Sequence, residues 1–142
     1  MSTSPTYDEA SQVLGAQPFS RLLGARLSRF DEGRATLEIP LRPEHRQQDG
    51  FAHGGLVAYS ADNAMTFAGG SVLGARVLTA SMTIDYLAPA RGEVLRAEAE
   101  VRHRSDRQAI CDCTVSTRID GEWAVCAVAR GRIRTTSPSP SS

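Results

Sequence analysis

The stretch Phe51–Ala75, FAHGGLVAYSADNAMTFAGGSVLGA, decides the fold. It holds one formal charge, the carboxylate of Asp62, while Arg46 and Asp49 stand just before it and Arg76 just after. After His53, the residues Leu56, Val57, Tyr59, Ala61, Ala64, Met65, Phe67 and Ala68 cover nearly the whole circumference of a helix. A helix that is apolar on all sides is a buried helix. Gly69-Gly70 reads as its stop. Polar residues interrupt the stretch too often for a membrane span of about 20 apolar residues. A lone acid inside a buried helix needs a reason.

The flanking sequence alternates with the period of strands. ARLSRF and RATLEIPL are two such runs, with Asp31–Gly33 as the turn, and Ala35, Leu37 and Ile39 share one face. After the helix come RVLTASMTIDYLAP, EVLRAEAEVRHR, QAICDCTVSTRI and WAVCAVARGRI. In the first of these, Leu78, Ala80, Met82, Ile84 and Tyr86 alternate against Thr79, Ser81, Thr83 and Asp85. Asp120-Gly121 joins the last two as a hairpin. YDEASQVLGAQPFSRLLG, at the other end, reads as one or two short helices, with Pro18 suited to a first turn. The expected class is α+β: an antiparallel sheet, four of its strands in a meander, curved round one central helix. Residues 1–19 form an N-terminal helical segment, 20–134 the domain proper, and 135–142 a Ser/Pro-rich tail expected to be disordered. Residues 1–6 are expected to be loose as well.

Bulk properties narrow the function. The chain has 142 residues, enough for one domain with a real core. Sixteen basic and sixteen acidic side chains balance, which gives no electrostatic case for nucleic acid or an anionic membrane. The first residues show neither a basic nor an apolar segment of a secretory signal. Cys111, Cys113 and Cys126 lack metal-ligand spacing and read as reduced core thiols, so the expected compartment is the cytoplasm. No metal site is expected. The serine nucleophile elbow, the phosphate loop and the dinucleotide fingerprint are absent.

One arrangement resembles a known family. QQDGFAHGGLVAYSADNA followed by LTASMTIDYLAPARG is similar to the hotdog-fold acyl-CoA thioesterases, nearest to the phenylacetic-acid-degradation type. The resemblance spans about residues 20–134. It rests on Gln47, Gly50, His53-Gly54-Gly55, Asp62 nine residues after the histidine, and Tyr86-Leu87-Ala88-Pro89. Many members have Asn at the position of Gln47. The strand hydroxyl that some relatives carry falls at Ala80 by simple spacing, with Ser81 beside it. The resemblance implies a hotdog fold, an acyl-CoA substrate, no cofactor beyond the coenzyme A of the substrate, and a homodimer whose two sites are shared between subunits. A tetramer is common in the family.

The chemistry suits these residues. Thioester hydrolysis needs a group that activates water or attacks the carbonyl, and donors for the oxyanion. A buried carboxylate serves as base or nucleophile, and Asp62 fits either role. The first amides of a helix lack partners and lie at the positive end of its dipole, so the Gly54 amide is the expected oxyanion donor, with the Gln47 side chain helping. Asp62 is eight residues beyond Gly54, about 12 Å along the axis. One carbonyl cannot touch both, so Asp62 must meet the helix start of another subunit.

Other candidates carry two readings each. Thr66, one turn after Asp62, either holds the attacking water or bonds a local carbonyl. His53 either catalyses or holds the loop at the helix start. Asp62 itself has a structural alternative, an acid bonded at a dimer seam. Arg102, Arg104 and Arg107 either form a solvated turn or grip coenzyme A phosphates. Gly55, Phe51, Tyr59 and Ser81 complete the candidate substrate-binding set, with Met65 and Phe67 mainly core. His45 and His103 are expected in solvent or packed in loops. The rival functions are an enoyl-CoA hydratase, whose motif His53 and Asp62 do not resemble, and a non-catalytic acyl-CoA binding or sensing module.

Overall fold

The computed structural model describes residues 5–136. In chain order it contains α1 (Tyr7–Ala16), α2 (Pro18–Leu23), β1 (Arg26–Asp31), β2 (Arg34–Pro40), a 3-10 turn at Pro43–His45, α3 (Gly54–Leu73), β3 (Val77–Tyr86), β4 (Val94–Arg104), β5 (Gln108–Ile119) and β6 (Glu122–Thr135). The six strands form one antiparallel sheet in the order β1-β2-β4-β5-β6-β3. The expected four-strand meander is thus corrected. Only β4, β5 and β6 run as one; β3 crosses to the far edge beside β6, and β4 returns to pair with β2. β3 therefore has one side free of ladder partners among the described residues.

Local chemistry sets the element ends. Thr6 and Glu9 form a reciprocal capping box at the start of α1, so the looseness expected of residues 1–6 does not reach Thr6. Pro18 opens α2. Asp120 and Gly121 both take positive φ, as the tight β5–β6 hairpin requires. The expected tail begins later than residue 135, because Thr135 still pairs with Val77; residues 137–142 lie outside the described residues.

The core lies between α3 and the sheet. Leu37, Ile39, Leu95, Val115 and Ile133 from the strands and Met65 from α3 are fully buried. Each such side chain contributes about 1.5–3 kcal/mol. The helix does not stop at Gly69-Gly70. It continues to Leu73, with Gly74 as cap. Gly69 is there for contact, since a Cβ on it would stand 2.8 Å from the side chain of Ile133. Nor is α3 buried on every side of this chain. Tyr59, Asp62, Asn63 and Thr66 are half-buried, so the acid lies on a stripe that the sheet leaves uncovered.

Candidate active site

The Gln47–Gly55 segment shapes the start of α3. His53 is its N-cap, and its Nδ1 accepts from the Gly55 N–H at 2.8 Å. This supports the loop-holding reading of His53 and occupies Gly55's amide. The Gly54 N–H finds no acceptor among the described residues. Gln47 Oε1 accepts from the backbone of Asp49 and Phe51, which fixes the amide and leaves its NH2 without an acceptor among the described residues. Gln47, Phe51, Gly54, Tyr86 and Pro89 line one groove of about 400 Å³. Arg91 stacks over the Phe51 ring at 4.4 Å, putting a cation beside this groove. Two unused amide donors thus share one concave surface with the helix dipole behind one of them.

Asp62 stands further along α3. Its Oδ1 accepts from the Thr79 hydroxyl at 2.6 Å. The Thr66 hydroxyl lies 2.9 Å from Thr79 Oγ1 and 2.9 Å from Asp62's own carbonyl oxygen. Each hydroxyl has one proton. Thr79 gives its proton to the carboxylate, so Thr66 shares its own between Thr79 and the helix carbonyl. Oδ2 accepts no hydrogen bond among the described residues.

Thr79 is the site residue that strict alternation misses. A β-bulge lies between Thr79 and Ser81, which pair with the consecutive residues Ile133 and Arg132. One extra residue inverts the phase of the strand. Val77 and Thr79 therefore turn towards α3 before the bulge, and Met82 and Ile84 after it. Ala80, where simple spacing put the strand hydroxyl of relatives, and Ser81, a candidate substrate-binding residue, are both exposed, and the hydroxyl beside Asp62 belongs to Thr79. By strict alternation Thr79 falls on the polar row with Ser81, Thr83 and Asp85, so only the bulge brings it to the inner face.

The remaining candidates scatter. Tyr59 packs edge-on against Phe19 and bonds Ser20 and Asn63, so it ties α2 to α3. Phe67 lines a second cavity, between α1 and α3. Arg102 is engaged by Glu100 and Asp112, whereas Arg104 and Arg107 have no ion-pair partner among the described residues. His45 is buried. Its Nδ1 accepts from the Arg42 N–H, and the Arg42 guanidinium faces Nε2. Burial, then the Arg42 charge, holds its pKa below the usual imidazole value. Burial pushes Cys111 and Cys113 up to about 12 and Cys126 up to about 11, so all three are inert core thiols. Among the described residues no three His, Cys, Asp or Glu side chains converge as metal ligands, and no helix is long and apolar enough to cross a membrane.

A curved antiparallel sheet round one long helix, with His-Gly-Gly at its start and an acid nine residues after the histidine, defines the hotdog thioesterase class. Residues 49–124 match the family described as Thioesterase superfamily. A candidate esterase of Halobacterium salinarum is 31% identical, with 79% of this chain and 80% of that protein covered. The acyl-coenzyme A thioesterase PaaI of Escherichia coli is 27% identical, with 80% and 79% covered. The crystal structure of a thioesterase family protein from Silicibacter pomeroyi superposes with a TM-score of 0.86 at 29% identity, over 89% of this chain and 95% of that one. The chain belongs to the thioesterase superfamily, in its PaaI-like hotdog branch.

Proposed function

We propose that this protein is an acyl-CoA thioesterase that works as a homodimer, with Asp62 of one subunit facing the Gly54 amide and Gln47 side chain of the other. The observation that carries the reading is the pairing of an oriented carboxylate on α3 with an unused donor pair at the start of the same helix. Asp62 is held by Thr79 at 2.6 Å, and the free Gly54 N–H shares a groove with Gln47. The two lie about 12 Å apart along α3. A second copy with its helix antiparallel brings one chain's acid to the other's helix start. The unpaired edge of β3 and the half-buried stripe around Asp62 support such a partner.

In this mechanism the thioester carbonyl oxygen takes the Gly54 N–H and the Gln47 amide as donors. Asp62 removes a proton from water, the water oxygen bonds to the carbonyl carbon, the C–S bond breaks, and the thiolate of coenzyme A leaves and is protonated. With Asp62 as nucleophile, its oxygen forms the bond first and water then opens the anhydride. Oxygen-18 from labelled water enters Asp62 only in the second case and only where water attacks the Asp62 carbon of the anhydride, the original Asp62 oxygen then leaving in the product acid; attack at the acyl carbon puts the label in the product instead. No cofactor is needed beyond the coenzyme A that the substrate brings. Arg104 and Arg107, which have no ion-pair partner among the described residues, and Arg91 beside the groove are the cations proposed for its phosphates.

Thiol release from benzoyl-, phenylacetyl-, octanoyl- and palmitoyl-CoA tests the reading with wild type and Asp62→Asn, both checked for folding and oligomer size. Turnover that Asp62→Asn abolishes without loss of the dimer supports it. A wild type that binds these thioesters and hydrolyses none is a binding module instead.

A further inference from the structure

The cavity between α1 and α3 has no role in the chemistry above. It measures about 430 Å³, and Ala10, Val13, Phe30, Phe67 and Val77 supply apolar walls. Phe30 and Phe67 meet edge to face, 6.4 Å between centroids, which fixes one wall. The opposite wall is α1, and a polar clamp holds its end in place. Gln17, where α1 passes into α2, accepts through Oε1 from Ser20 at 2.6 Å and from Asn63 at 3.1 Å. Asn63 directly follows Asp62, so the clamp sets α1 at a fixed height against the acid. The cavity is thus preformed, apolar and bordered by few polar groups, as small-molecule pockets are.

Its position relates it to the reacting centre. Thr66, which bonds the Asp62 carbonyl, also lines the cavity, and Gly70 lines it one turn further. Gly70 stands eight residues beyond Asp62, about 12 Å along the helix. Resting on the thioesterase reading, we infer that this cavity receives the acyl group and that its length selects medium-chain acyl-CoA of eight to ten carbons. An extended chain advances about 1.2 Å per bond, so the bonds of an octanoyl to decanoyl chain span about 8–11 Å of the roughly 12 Å from a carbonyl at Asp62 to Gly70. An acetyl group leaves the cavity empty, and a palmitoyl group overruns it. Gly70 and Val13 set the space: a Cβ on Gly70 would stand 3.5 Å from Val77, an ordinary contact that narrows the far end. Val13 is 48% exposed on the α1 side, so a larger residue there fills the cavity from its rim without disturbing the core.

The test measures kcat/KM for acetyl-, octanoyl- and palmitoyl-CoA in wild type, Val13→Trp and Gly70→Ala, together with the melting-temperature shift caused by free octanoate. Wild type is expected to favour octanoyl-CoA over both others by at least tenfold. Val13→Trp is expected to lower the octanoyl-to-acetyl ratio at least tenfold, and Gly70→Ala to lower it about fourfold. Each methylene no longer buried is worth about fourfold. Octanoate is expected to raise the melting temperature of wild type and not of Val13→Trp. Octanoate protection without turnover of any thioester keeps the pocket and sinks the enzyme reading. Turnover with no octanoyl preference, or with a preference that Val13→Trp leaves unmoved, overturns the pocket and keeps the enzyme.

Discussion

The Gly54 amide can be deleted without deleting its residue. Gly54 is the first residue of α3, where proline is favoured because the N–H has no helical partner. The residue before a proline must be extended, and His53 already has φ −59° and ψ 138°. A Cβ at position 54 would lie 3.7 Å from the Tyr86 ring, an ordinary contact. Gly54→Pro therefore removes one hydrogen-bond donor and sets the ring Cδ where the amide hydrogen pointed. Its stability should equal or exceed that of wild type, because proline restricts the unfolded chain by about 0.4–1 kcal/mol. Its kcat should fall about 100- to 1,000-fold, the ~2.7–4 kcal/mol of one oxyanion donor. Gly54→Ala keeps the N–H and adds the Cβ, so it separates the donor from the space and should stay within about fivefold of wild type. The assay is thiol release alongside thermal unfolding. A folded Gly54→Pro that turns over within threefold of wild type would show that the Gly54 amide does not bind the oxyanion.

Three further outcomes follow from the same geometry. Thr79→Val should lose the hydrogen bond to Asp62 and lower kcat about 10- to 150-fold, the range for a bond to a charged group of ~1.5–3 kcal/mol. Thr79→Ser should restore most of it; equal rates in all three proteins would remove Thr79 from the site. His45 has its pKa lowered in the fold, so the fold favours the neutral ring. That contribution is complete above the unfolded value of about 6.5 and is lost as pH falls through the folded value. The unfolding free energy should drop below pH 6.5 and flatten in His45→Gln, measured by urea titration. Gly69→Ala should destabilise by roughly 1–2 kcal/mol, with overpacking against Ile133 exceeding the gain in helix propensity; an unchanged urea midpoint would show that the sheet yields there.

The sequence carried the helix and its acid plainly, because a run of apolar residues broken once by a charge has few interpretations. It carried the His-Gly-Gly start for the same reason: two glycines and an N-cap side chain are a local signature. It did not carry the bulge at Ala80. Strict alternation assumes an unbroken pleat, and one extra residue exchanged Thr79 for Ala80 on the face towards Asp62. Gly69-Gly70 misled in a similar way, since glycine both ends helices and permits close contact, and only Ile133 decides between them. The long crossing of β3 to the sheet edge depends on partners distant in sequence. The clamp of Gln17, Ser20, Tyr59 and Asn63 depends on three elements meeting, and no periodicity signals that.

In the proposed dimer one site takes its acid from one subunit and its oxyanion donors from the other. Mixing Gly54→Pro with Asp62→Asn under exchanging conditions tests it directly. Each variant alone should be nearly inactive. A hybrid dimer places both substitutions in one site and leaves the second site intact, so random exchange should restore about a quarter of wild-type activity. Donors and acid drawn from the same subunit would leave every site with one lesion, and a mixture no more active than its components would contradict the account.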